Sequence, residues 1–185
     1  MIRLDAVREW PADLSRHSPN WSVRPSGASI SCVVIHATAD EGDEAGAESW
    51  LCARDSQASA HLLIRRDGQV VRLVPDKSRA WHAGVSAFRG CSDVNDFSLG
   101  WELCNRNDGR EPFTDAQYEI VARIAAHYIA QGLGFPEFAG HDEVALPPGR
   151  KTDPRGFDWT RFVKATLVRC ASGVDGLPSG MIKLR

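Results

Sequence analysis

The alternation of apolar and polar positions divides the chain into short strand-like runs and three helical stretches. Ser31-Cys-Val-Val-Ile-His36 is a β-branched apolar run that closes on a polar residue, the pattern of a buried strand. Residues 37–46 read as a loop, and 47–54 (AESWLCAR) have helical character. Two strand-like runs, 61–66 and 69–74, flank Asp67-Gly68. Asp-Gly between such runs predicts a tight hairpin whose two turn residues both take positive φ. Residues 83–96, rich in Gly, Ser and Asp, read as a loop, and Phe97–Cys104 as another strand. Gly100 inside that strand marks a bulge or a close approach by a neighbour.

The strongest helix is predicted over 114–131. Thr114 and Gln117 have the spacing of a capping box. Ile120, Val121, Ile124, Ala125, Tyr128 and Ile129 recur at helical spacing, with His127 on the exposed side. Gly132 and Gly134 are the expected stop. A polar, Pro-rich loop over 140–157 leads to a short helix over 158–169. Residues 1–29 are expected as an arm packed on the domain, 30–170 as the domain itself, and 171–185 as a loosely ordered tail. The order of elements implies an α/β fold: a single domain with a central mixed β-sheet flanked by α-helices.

Composition narrows the function. With 185 residues and 43% hydrophobic content the chain can bury one core. A net charge of -2 argues against nucleic acid as a partner, which would call for a basic surface. No run approaches the roughly 18 apolar residues of a membrane span. The first residues lack the apolar core of an export signal, so the chain is expected to be cytoplasmic as synthesised. We expect a monomer. The five cysteines include no C-x-x-C pair, and Cys32 and Cys104 sit in apolar runs as reduced, buried thiols.

Candidate chemistry rests on a few polar residues in unusual places. His36 closes the first strand, His141 follows Gly140, and Asp153 lies in Arg150-Lys-Thr-Asp-Pro154. Two histidines and a carboxylate suit a zinc site with its fourth position open. The separation of the histidines is unlike the compact H-E-x-x-H pattern, so spacing alone is weak evidence. Glu102 falls mid-strand on the face of Gly100 and Cys104, opposite Trp101 and Leu103. A buried carboxylate there needs a partner. Proton transfer and an ion pair with Arg65 or Arg66 are both compatible with the pattern.

Six motifs in fixed order, spanning about Trp21 to about Phe162, resemble the type-2 N-acetylmuramoyl-L-alanine amidases of the AmpD-like group. They are Val33-Val-Ile-His36, Ser59-Ala-His-Leu-Leu-Ile-Arg-Arg-Asp-Gly68, Ala80-Trp-His-Ala-Gly84, Asn95-Asp-Phe-Ser-Leu-Gly-Trp-Glu102, Gly140-His141 and Arg150-Lys-Thr-Asp-Pro154. Phage amidase endolysins and animal peptidoglycan recognition proteins share the fold. The resemblance implies one zinc ion per chain on His36, His141 and Asp153, with Glu102 as catalytic acid/base and Lys151 stabilising the transition state. It implies cleavage between N-acetylmuramic acid and L-alanine in peptidoglycan or muropeptides. His61, Trp81, His82 and Asn95 are weaker candidates for substrate binding; His61 is equally compatible with a backbone-satisfied strand histidine, and Trp81 with core. A metal-free binding module and a zinc peptidase of the stem peptide are the competing readings. The stretch between His36 and His61 looks shorter than in dedicated recycling enzymes. That implies a more open cleft, and tilts the expectation from wall recycling toward wall degradation, with a holin as the route to the wall for an endolysin.

Overall fold

The computed structural model describes residues 8–131 and 137–171. Its centre is β3 (Cys32–Ala37), every residue of which is buried. Parallel neighbours flank it, β9 (Ser98–Leu103) on one side and β10 (Glu137–Gly140) on the other. Beyond β9 lie β4 (Leu62–Ile64), β5 (Val70–Arg72) and β1 (Leu14–Ser15), so the six-stranded order is β1-β5-β4-β9-β3-β10. Every neighbouring pair is parallel except the β4–β5 hairpin, which makes the sheet mixed. Two further strands from the same N-terminal and central segments, β2 (Trp21–Val23) and β6 (Ser78–Ala80), pair antiparallel beside it.

Strand alternation sorts side chains onto two faces with different tasks. Val33, Ile35, Leu62, Ile64, Leu99, Trp101 and Leu103 point toward α2 (Asp115–Ala130) and α4 (Trp159–Ala171) and form the main core with Val121, Ile124, Tyr128 and Phe162. Trp101 is fully buried there, and truncating such a residue to alanine typically costs about 3–5 kcal/mol. On the opposite face Leu63, Val71 and Leu73 meet Leu51 of α1 (Glu44–Cys52), while Val34 meets Ala83, Val94, Ala139 and Val144. His36 and Glu102 belong to this second face. It carries less helix, and its centre is left open for a cleft.

Several local expectations change in the structure. Of the Asp67-Gly68 pair, Gly68 alone takes positive φ. Gly68 N–H donates to Arg65 O and Arg65 N–H to Gln69 O, so the hairpin has a three-residue loop ending on a left-handed glycine. Helix α1 starts at Glu44, inside the stretch read as loop, because the Asp43 carboxylate caps it by accepting from Gly46 N–H. Within 83–96 lies a small hairpin, β7 (Ala87–Phe88) with β8 (Cys91–Ser92). The loop read over 140–157 opens with a single turn, α3 (His141–Val144), directly after a strand, β10, that the pattern does not reveal. The capping box of α2 forms as expected: Gln117 N–H donates to Thr114 Oγ1, and Thr114 N–H to Gln117 Oε1. Gly132, Gly134 and residues 172–185 lie outside the described residues.

Candidate active site

Three parallel strands deliver the site from the same end. His36 is near the C-terminal end of β3, Glu102 near that of β9, and His141 follows β10 directly. Open α/β sheets generally place ligands outside the carboxyl ends of their strands. His36 and Glu102 are register partners, so they stand side by side on one face. Asp153 is brought in by its loop, whose carbonyl at Asp153 accepts from Asp142 N–H at 2.9 Å. Asn107 steadies that loop from the other side, donating to Thr152 Oγ1 at 3.2 Å and accepting from Arg155 N–H at 2.7 Å.

His36 Nδ1, His141 Nδ1 and Asp153 Oδ2 converge. Their separations are 3.0 Å between the two imidazoles, 3.1 Å from His141 to Asp153 and 3.4 Å from His36 to Asp153. A tetrahedral metal with ligands at about 2.0–2.1 Å has ligand–ligand edges of about 3.3–3.4 Å. The donor set therefore fits one small divalent cation, with two nitrogens, one carboxylate and a side open to the cleft. All three residues are buried. Burial pushes His36 down to about 4, with His141 and Lys151 acting in the same direction and Asp153 against it. Burial would raise Asp153, but the two imidazoles beside it outweigh burial and hold the carboxyl well below the usual range.

Among the described residues no arginine pairs with Glu102. Arg65 is taken by Glu48 at 2.6 Å, and Arg66 by Asp40 and Glu111, each at 2.8 Å. Glu102 Oε1 is 3.9 Å from His36 Nδ1, and its Oε2 is buried without a hydrogen-bond partner. Burial, reinforced by Asp153 and opposed by Lys151, raises this carboxyl to about 8. A carboxyl in that range can both take and return a proton near neutral pH. Lys151 lines the same cavity, and among the described residues no ion pair ties it to Asp142 or Glu143.

The cavity has a volume of about 220 Å³ and is walled by Glu102, His141, Lys151 and Asp153 on one side and by Trp50, Trp81 and His82 on others. The four weaker candidates separate here. Trp81 and His82 reach the cavity. His61 and Asn95 do not. His61 is fully buried, its Nδ1 accepting from Gly100 N–H at 2.9 Å while Nε2 lies 3.1 Å from Ser78 O and 3.0 Å from Arg24 Nη2, so both ring nitrogens are used inside the fold. Asn95 is buried and accepts with Oδ1 from the backbone N–H groups of His82 and Ala83. Sequence reasoning missed Trp50, 60% exposed on α1, and Asn107. An exposed tryptophan on a helix that buries only Leu51 is the signal that could have found the first.

A convergent His/His/Asp donor set beside the half-buried Glu102, at the carboxyl end of a mixed sheet, is an arrangement suited to hydrolysis. Comparison with known proteins agrees. Residues 26–156 match the N-acetylmuramoyl-L-alanine amidase family. The 1,6-anhydro-N-acetylmuramyl-L-alanine amidase AmpD of Citrobacter freundii is 37% identical over 178 residues, covering 83% of this chain and 90% of that protein. A crystal structure of a selenomethionine AmpD derivative superposes with a TM-score of 0.74 at 34% identity, covering 84% of this chain and 96% of that one. The amidase AmiD of Escherichia coli, in complex with the substrate anhydro-N-acetylmuramic acid-L-Ala-D-γ-Glu-L-Lys, gives 0.65 at 28% identity, covering 84% and 67%. The chain belongs to the N-acetylmuramoyl-L-alanine amidase family.

Proposed function

We propose that this protein is a zinc amidase that hydrolyses the bond between N-acetylmuramic acid and L-alanine in peptidoglycan fragments. The observation that carries the reading is the convergence of His36 Nδ1, His141 Nδ1 and Asp153 Oδ2 next to Glu102, whose Oε2 has no hydrogen-bond partner among the described residues. The substrate class follows from family membership and from the muropeptide bound by the related AmiD.

Zinc, when held by these three residues, supplies Lewis acidity that makes water acidic near pH 7 and polarises a carbonyl. The chain's own residues do the rest. Glu102 takes the proton from the attacking water and returns it to the departing alanine nitrogen, which is too basic to leave as an anion. Lys151 brings a cation to the rim of the cavity, where negative charge develops on the carbonyl oxygen. Trp50 and Trp81 offer apolar faces on which a sugar ring can rest, and a second depression, bordered by Trp50, lies along α1 beside Asp43.

The test is a muropeptide digest with product analysis, run on zinc-loaded and chelator-stripped protein. The reading requires a newly freed L-alanine N-terminus, and loss of turnover on stripping with recovery on adding zinc. A product in which L-alanine stays attached to the sugar would identify a stem peptidase instead. Zinc-loaded protein that binds wall fragments without turnover would identify a binding module.

A further inference from the structure

Both histidines of the triad are oriented by one two-residue segment, His82-Ala83. His141 Nε2 faces Ala83 O at 3.3 Å. A carbonyl only accepts, so Nε2 carries the proton and Nδ1 keeps its lone pair. The second lone pair on Ala83 O takes Arg150 Nη2 at 3.0 Å. His36 Nε2 faces His82 Nδ1 at 3.1 Å, and which of the two donates is settled further out. The Ser98 hydroxyl gives its one proton to Val94 O at 2.6 Å. Ser98 Oγ is left to accept from His82 Nε2, 3.1 Å away. A neutral His82 then has its lone pair on Nδ1, and His36 must donate from Nε2. The His36 Nδ1 lone pair is thereby aimed at the same point as that of His141.

The segment is itself fixed in place. The N–H groups of His82 and Ala83 donate to the single oxygen Asn95 Oδ1, at 3.1 and 2.8 Å. Gly100 makes room for the ring: a Cβ there would lie 2.4 Å from His82 Cγ. His82, Asn95 and Ser98 are all buried. Two imidazole lone pairs and a carboxylate aimed at one point repel each other unless a cation lies among them. An arrangement that imposes this costs stability without metal and favours binding with it.

We propose that Ser98, His82, Ala83 and Asn95 form a bracket that fixes the tautomers of both histidine ligands, making His82 and Asn95 positioning residues for the metal. This rests on the reading of His36, His141 and Asp153 as ligands. Loss of such outer partners typically weakens metal binding by about 10–100-fold.

The experiment is zinc titration of chelator-stripped protein against a competing chelator, with thermal melts of the stripped proteins as a check on folding. The variants are His82→Leu, His82→Asn, Asn95→Leu and Ser98→Ala. Asparagine places an amide oxygen close to where His82 Nδ1 sits, so it can still accept from His36. We expect His82→Leu and Asn95→Leu to bind zinc about 10–100-fold more weakly, and His82→Asn to stay near wild type. Wild-type affinity in a folded His82→Leu protein, or equal weakening by Asn and Leu, overturns the bracket. Should the leucine variants not fold, Ser98→Ala carries the test: weaker zinc binding supports the proposal and unchanged binding overturns it. A wild-type protein that binds no zinc refutes the ligand assignment itself.

Discussion

Glu102 and Lys151 face the same cavity with opposite demands on charge. Glu102→Gln removes the proton carrier while keeping shape, and is expected to retain zinc and fold while losing turnover by about 10²–10⁴-fold. Wild-type turnover in the zinc-loaded variant would assign Glu102 a structural role. Lys151→Ala is expected to lower kcat far more than it changes KM, with zinc content equal or higher, because its charge is used when the oxyanion forms. A raised KM at unchanged kcat would make Lys151 a substrate-binding residue. At this scale the sequence exposes a polar residue wherever it breaks an apolar run, which is why His36 and Glu102 stand out. It does not reveal what a loop residue faces. Asn95 and His61 look like cleft residues in one dimension, yet both turn their polar atoms into the fold.

Among the elements, the corner where the β4–β5 hairpin meets α1 and the 105–111 loop is tied by Arg66. Its guanidinium reaches Asp40 and Glu111 at 2.8 Å and Glu44 at 3.4 Å. Burial would raise Asp40, but Arg66, Thr38 and the Gly42 N–H outweigh it and lower its carboxyl; Glu111 is lowered chiefly by Arg66. A depressed carboxyl contributes stability that is present above its unfolded value, about 4, and is lost as pH falls through the folded value. Wild type is therefore expected to lose stability below about pH 4 more steeply than Arg66→Met, which lacks this linkage and starts lower at neutral pH. Denaturant midpoints across pH 3–7 measure it, and parallel curves would refute the linkage. Strong periodicity made β3, β9 and α2 legible. The four-residue β10 was not legible, because Glu137-Phe-Ala-Gly140 has too little alternation to register and owes its conformation to pairing with β3. The start of α1 depended on the Asp43 cap, a local hydrogen bond that an apolar pattern does not register.

Taken whole, the molecule places its helical core and its chemistry on opposite sides of one sheet. Trp50 stands at the border of the open side, and its indole is expected to contribute binding without touching the reacting atoms. Trp50→Ala should raise KM several-fold at nearly constant kcat, more so for glycan-linked than for small soluble substrates. Equal KM values in wild type and variant would remove Trp50 from the binding surface.

Among the described residues, strand β10 is an edge strand whose one sheet neighbour is β3. It leads into His141, and the chain then returns through Asp153, whereas His36 lies 105 residues before His141 in the middle of the sheet. A cation shared by these residues is a cross-link between the sheet's centre and its detachable margin. Like any link that closes a long loop, it restrains chiefly the opened forms of the chain. Stripping it should let the margin breathe while the interior stays shut. In hydrogen exchange, amides of 137–157 are expected to speed up on chelation, while those of β4 and β5 keep their protection. The thermal midpoint should fall by an amount that depends on free zinc concentration, as mass action requires. Uniform acceleration across the sheet would mean that the ion holds the entire fold, and no acceleration that the edge stands without it.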